Sequence, residues 1–216
     1  KRNEGLKSWY ERMRELGAGE VMCFPFGLEA LPPLPEHKDD ALFFANRGLE
    51  PIYAPQRVID GFAAIAAAWP QARLVVANDG SLLGAVQTLA RELGLQDQVR
   101  FVGRLGAAAQ AECYARARWY LSLPQSDSVS VSVIEAMAHG CVPLLSDLPA
   151  NHELVRSGHN GLILADGASL APAALQSLLA RADAIAQANH DWVREHAMFG
   201  PSVQAFLARL RELQAA

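Results

Sequence analysis

Six short apolar runs, each followed by a stretch with helical periodicity, constrain this chain more than any other feature. ALFFAN (41–46) leads into PQRVIDGFAAIAAAW, ARLVVAN (72–78) into SLLGAVQTLARELG, and QVRFVG (98–103) into AAAQAECYARA. RWYLSL (118–123), CVPLLS (141–146) and GLILA (161–165) are the later runs. Runs that are continuously apolar, not alternating, suit strands covered on both faces, hence a parallel sheet with helices on each side. With right-handed crossovers the pattern predicts an α/β, doubly wound, Rossmann-like domain. We place it at 41–200, after a leading helix, strand and proline-rich linker (1–40) and before a C-terminal helix (201–216). The linker is FPFGLEALPPLPEHKDD (24–40). Beyond Gly167 the chain reads as a helical tail in three segments, broken near His190 and at Gly200-Pro201.

Bulk properties remove several function classes. A formal net charge of −4 over 216 residues gives no basic face for nucleic acid. No apolar run approaches the roughly 20 residues that cross a bilayer. The three cysteines, Cys23, Cys113 and Cys141, are far apart and lack metal-ligand spacing, so they read as reduced core thiols. No histidines or acids have zinc-site spacing, and His139 and His152 have no sequence-level partner. Trp119 and Tyr120 read as core. The chain begins at Lys1 with the helix-like EGLKSWYERMREL, which reads as a piece of a longer protein.

In a doubly wound sheet, ligands sit beyond the carboxyl ends of the strands. That points to Asn46-Arg47, Asn78-Asp79-Gly80, Gly103-Arg104, Pro124 to Asp127 and Ser146-Asp147. Glycine turns and helix starts in such a crevice suit a phosphate-bearing ligand, although NDG taken singly is no more than a tight turn. The informative stretch is DSVSVSVIEAMAHGCVPLLSD (127–147). Its polar–apolar alternation over 127–133 fits a half-buried strand. It also fits a loop and cap leading into the helix of Glu135 to His139, with Gly140 as its stop.

These segments resemble the donor-binding, C-terminal half of a GT-B fold in the family 4 (group 1) retaining glycosyltransferases. That family carries two acids eight positions apart, normally glutamates, the second within EAMA-x-G. Here Glu135-Ala-Met-Ala-His-Gly140 fits the second half and Asp127 stands at the first. QVRFVGRL, VVANDGSL (with Asn78 for the first glycine), FPFGLE and HELVRSGHNGLIL resemble further family segments, so the likeness spans roughly residues 20 to 165. It favours the loop, cap and helix reading of 127–140.

The resemblance implies roles residue by residue. Glu135, Asp127 and Arg47 take the catalytic positions: Glu135 for the ribose hydroxyls, Asp127 for the transferred sugar, Arg47 for the diphosphate. Asp127 is one methylene shorter than the family's glutamate, and it also suits a helix N-cap. Ser128 and Ser130 replace the family's two glycines, and the amides of Ser130 and Val131 would meet the distal phosphate. Gly80 lies in the turn after the second strand. Arg104 and Leu105 stand where backbone groups meet the base. Tyr53 occupies the place of a family lysine, a lost cation that Arg57, one turn on, would partly replace.

The expectation is a domain that holds a nucleoside-diphosphate sugar for transfer to a glycan, lipid or small-molecule acceptor. It would need no metal or other cofactor, because arginine and helix amides carry the leaving-group charge. The implied partners are the nucleotide sugar and an N-terminal GT-B domain of the same polypeptide. The implied location is the cytoplasm, with peripheral association at the inner membrane face through that other half. The rival is a non-catalytic Rossmann-like module with a degenerate donor site. A dinucleotide binder is disfavoured because no G-x-G-x-x-G follows the first strand.

Overall fold

The computed structural model describes residues 13–19, 21, 27–165 and 171–215. The first part of the leading helix, most of the strand after it, Cys23 and Gly167 lie outside the described residues. Six strands form one parallel sheet: β1 (Asp39–Ala45), β2 (Arg73–Ala77), β3 (Val99–Gly103), β4 (Ala117–Ser122), β5 (Val142–Ser146) and β6 (Leu162–Leu164). Their order across the sheet is β3-β2-β1-β4-β5-β6, so the chain reverses direction of growth between β1 and β4. The intervening helices are α1 (Pro55–Ala68), α2 (Leu83–Glu92), α3 (Ala107–Arg116), α4 (Val131–Ala138) and the short α5 (Asn151–Leu154). The predicted doubly wound α/β architecture is therefore present, with β1 starting at Asp39, two residues ahead of the predicted boundary.

β1 shows why the apolar runs are continuous. Phe43 and Phe44 are adjacent, point to opposite faces, and are both fully buried. Phe43 joins a core with Phe62 of α1 and Trp119 of β4, meeting Phe62 edge-on at 5.5 Å and stacking on Trp119 at 5.6 Å. Phe44 joins the opposite core with Tyr114 of α3, Tyr120 of β4 and Ile134 and Met137 of α4. Burying a phenylalanine side chain contributes roughly 1.5–3 kcal/mol, so each sheet face is worth covering with helices. Trp119 and Tyr120 are core residues, as read from the sequence.

Two long-range tethers place the segment ahead of β1. The ammonium of Lys38 donates to the carbonyls of Tyr114 and Ala117, both at 2.7 Å, where α3 ends and β4 begins. Farther back, Leu28 and Met198 form a parallel bridge: Leu28 N–H donates to Ala197 O and Phe199 N–H to Leu28 O, each at 2.8 Å. Gly27 is required there, because a Cβ would run into the Ala197 carbonyl.

The helical tail differs from expectation. It comprises α6 (Pro172–Leu179), α7 (Ala182–His196) and α8 (Phe199–Ala215), so the breaks fall at 180–181 and 197–198. His190 is no break. It is a buried residue inside α7 whose Nε2 bonds the Pro32 carbonyl at 3.0 Å. Gly200-Pro201 also lies inside a helix, in the first turn of α8, where the N–H that proline lacks has no intrahelical acceptor to lose. The Leu28 bridge, not the proline, separates α7 from α8.

Candidate functional site

The carboxyl ends of β1 and β4, on either side of the reversal in strand order, bring the conspicuous polar residues together. The loop after β4 runs from Pro124 to Ser130 and ends at the N-cap of α4, so the alternation in DSVSVSV is loop, cap and helix. Ser130 is the cap residue. Asp127, three residues earlier, is not an N-cap; among the described residues its Oδ1 accepts from the Ser128 amide, at 3.0 Å.

Arg47, just beyond β1, spans the gap. Its Nη2 pairs with Asp127 Oδ2 at 2.8 Å, and its Nη1 donates to Ser130 Oγ at 3.1 Å. The guanidinium lies 4.4 Å above the ring of Tyr53, a favourable cation–π contact. Its Nε is buried without a hydrogen-bond partner among the described residues. Tyr53, expected in place of a lysine, thus packs against Arg47 instead.

Asn46, the preceding residue, serves a second cluster. Tyr120 Oη donates to Asn46 Oδ1 at 2.7 Å, and Asn46 Nδ2 donates to Tyr114 Oη at 2.7 Å. Tyr114 Oη in turn donates to Glu135 Oε2 at 3.0 Å, which also accepts from Gln110 Nε2 at 3.3 Å. Glu135 sits one turn inside α4 and is half-buried. Burial raises its carboxyl above the usual glutamate value, while the Tyr114 and Gln110 donors oppose that shift. Consecutive residues after β1 therefore serve the two acids separately, Asn46 toward Glu135 and Arg47 toward Asp127.

The turn after β2 closes against the same loop. Asn78 adopts a positive φ of 86°, a conformation that asparagine tolerates better than most non-glycine residues. Leu49 N–H donates to Asp79 O and Leu82 N–H to Leu49 O. A Cβ on Gly80 would collide with the Leu49 carbonyl, so glycine is needed for this close approach. Glu50 completes the contact by accepting from Ser81 N–H and Oγ–H.

The other expected residues are more dispersed. Arg57 is a half-buried residue in the first turn of α1, and Val131 opens α4 with its side chain exposed. Ser128 is exposed beside Asp127. Arg104, exposed, and Leu105, packed against the α3–α4 core, stand past β3, two strands from β1. His139 is neither free nor paired with an acid: its ring stacks on Tyr114 at 5.5 Å and its Nδ1 bonds Glu135 O at 2.8 Å. His152 does have an acidic partner, Asp147, at 2.6 Å on the exposed loop after β5. Among the described residues, no three His, Cys, Asp or Glu side chains cluster as a metal site. Two depressions, of about 980 Å³ beside β3 and 710 Å³ beside α7, are lined by none of Arg47, Asp127 and Glu135.

Sequence reading missed Asn46 as a side-chain participant, together with Tyr114 and Gln110. Tyr114 lies at helical spacing in an alanine-rich stretch, and nothing local distinguishes its hydroxyl from that of any core tyrosine.

A parallel α/β sheet whose strand order reverses between β1 and β4 defines a doubly wound, Rossmann-like domain, the architecture seen in GT-B glycosyltransferases. The chain belongs to the family described as "Glycosyl transferases group 1", whose model matches residues 29–194. It is 28% identical over 128 residues to the alpha-monoglucosyldiacylglycerol synthase of Streptococcus pneumoniae, covering 59% of this chain and 29% of that protein. This chain therefore spans less than a third of that relative's length. Among solved structures, the sucrose-phosphate synthase of Thermosynechococcus elongatus superposes with a TM-score of 0.80 at 18% identity, over 97% of this chain and 56% of that one. Anabaena Alr3699/HepE in complex with UDP-glucose gives 0.71 at 18% identity, over 80% and 49%. These likenesses establish the fold, the C-terminal half of GT-B. Among the described residues, no helix is long and apolar enough to cross a membrane.

Proposed function

We propose that this domain binds the nucleoside-diphosphate sugar of a retaining glycosyltransferase and stabilises the departing diphosphate while the sugar moves to an acceptor. The observation that carries the reading is Arg47 at the strand-order reversal, held between Asp127 and the N-cap Ser130 with its Nε unpartnered. A cation beside the first-turn amides of α4 is a site for a phosphate group, since those amides lack intrahelical acceptors. As the bond from sugar to phosphate breaks, negative charge grows on the diphosphate. Fixed donors there lower the barrier without reorganising, and no metal is needed for that role.

In this reading Glu135 accepts from the ribose hydroxyls, Asp127 holds hydroxyls of the sugar, and the amides of Ser130 and Val131 meet the distal phosphate. Gly80 keeps the turn after β2 close, and Ser128 shapes the loop beside Asp127. Arg104 and Leu105 present backbone to the base, while Tyr53 and Arg57 support the phosphate end. The structure of Anabaena Alr3699/HepE with UDP-glucose supports a nucleotide-sugar ligand for this fold. The name of the Streptococcus relative, a synthase of a glucosyl lipid, supports a lipid acceptor. The acceptor site then belongs to an N-terminal domain of the same polypeptide.

The reading is tested by thermal denaturation with UDP, GDP, NAD and ATP. A ligand that binds only the native state adds RT ln(1 + [L]/Kd) to stability. UDP or GDP should raise the melting temperature more than NAD or ATP. No shift from either diphosphate at millimolar concentration would refute a working donor site, and an NAD-selective shift would favour a dinucleotide module.

A further inference from the structure

Glu135 does not reach its site as a free carboxylate. Tyr114, 1% exposed, offers its single hydroxyl proton. Asn46 Nδ2, a donor only, occupies the acceptor side of that hydroxyl at 2.7 Å, so the proton must point to Glu135 Oε2. The same reasoning fixes the link before it. Asn46 Oδ1 can only accept, so the Tyr120 proton points to it. The bonds run in one direction, Tyr120 to Asn46 to Tyr114 to Glu135, and bonds arranged head to tail polarise one another. The two middle members of the chain are also tethered through their backbone. Asn78 Nδ2 donates to the Asn46 carbonyl at 3.3 Å, and Lys38 donates to the Tyr114 carbonyl at 2.7 Å. Among the described residues, Tyr114 and Gln110 both bond Oε2, and Oε1 has no hydrogen-bond partner.

We propose that Tyr114 is a positioning residue that fixes the Glu135 carboxylate by one oxygen and thereby reserves the other for the ribose hydroxyls of the nucleotide. The proposal rests on the reading of Glu135 as the ribose acceptor. It adds that discrimination for a ribose diol depends on a hydroxyl on α3 that itself touches no ligand. Tyr114→Phe removes that oxygen and keeps the ring that packs on Phe44 and His139.

The test is calorimetry on the full-length protein with UDP and 2′-deoxy-UDP, and with GDP and 2′-deoxy-GDP. Wild type should prefer the ribonucleotide about tenfold or more, and Glu135→Ala should abolish that preference. Tyr114→Phe should cut it to within about threefold while leaving affinity for the deoxynucleotide within about twofold of wild type. Tyr120→Phe, two links farther back, should lower the preference by a smaller factor, and it carries the test should Tyr114→Phe not fold. Two results overturn the positioning role and leave the Glu135 reading standing. One is full ribose preference in either folded tyrosine variant. The other is equal weakening of both nucleotides in Tyr114→Phe. If Glu135→Ala keeps the preference, or wild type binds none of the four nucleotides, the Glu135 reading fails and this inference with it.

Discussion

Asp127→Asn separates what the first acid does for Arg47 from what it does for a ligand. The two side chains meet at 2.8 Å and are only 19% and 13% exposed, so the pair lies between a surface ion pair and a buried one. Exposed pairs are worth about 0–1 kcal/mol, and breaking a buried one costs about 3–5 kcal/mol. For this geometry about 1–2 kcal/mol of stability should be lost, reduced because asparagine keeps an oxygen for the Ser128 amide. The effect on ligands has the opposite sign for part of the donor. A bare diphosphate must share Arg47 with a carboxylate, and two like charges about 6 Å apart repel by roughly 1–3 kcal/mol at effective dielectric constants between water and protein. Removing the Asp127 charge should therefore tighten UDP or GDP by about fivefold to a hundredfold, since 1.4 kcal/mol is one decade. The matching nucleotide sugar should lose whatever advantage it holds over the bare diphosphate, because the group that would hold its sugar is gone. Titration calorimetry of both ligands on wild type and variant measures both quantities. A tenfold loss of bare diphosphate affinity would refute the reasoning, by showing that Asp127 serves chiefly to hold Arg47 in place.

Other perturbations follow from the same geometry. Gly80→Ala should destabilise the protein by about 1–3 kcal/mol in urea melts, because the new Cβ drives the turn away from the Leu49 carbonyl. Tyr53→Lys exchanges the ring beneath Arg47 for a cation; it should tighten diphosphate binding by up to about tenfold, the scale of one charged hydrogen bond, and unchanged affinity would show that the ring is an equal substitute. Glu135→Gln should raise the melting temperature at neutral pH while weakening ribose recognition. Burial makes the folded state hold the Glu135 proton more tightly than the unfolded chain, so wild-type stability is fully present below about pH 4.5 and declines as pH rises through the higher folded value. The gain from glutamine should accordingly vanish in acid, and pH-independent melting differences would contradict it. Nucleotide affinity of wild type should also fall on acidification at a higher pH than an ordinary glutamate would give.

The sheet was legible because each strand carries its own signal. Phe43-Phe44 and Trp119-Tyr120 place large side chains on both faces in succession, a pattern that only a doubly covered strand tolerates. The acid pair, Asp127 and Glu135, was read through the resemblance to the group 1 family, since neither carboxylate has a distinguishing local signal. The supporting hydroxyls were not legible, because Tyr114 meets Asn46 and Glu135 across 68 and 21 positions of sequence and its own neighbourhood reads as helix. Asp127 suited a cap by residue type, yet tertiary attraction to Arg47 left the cap to Ser130. The tail breaks were misplaced for the converse reason. Gly200-Pro201 has the composition of a helix stop, whereas the actual interruption at 197–198 arises from a backbone bridge to a residue some 170 positions earlier.

That bridge also decides how the domain would bear a load. Leu28 and Phe199 leave the body of the fold side by side, clasped by two 2.8 Å hydrogen bonds and packed too closely at Gly27 to admit a side chain. Tension applied between the segments before Leu28 and after Phe199 acts first on this clasp, and the six strands are shielded until it opens.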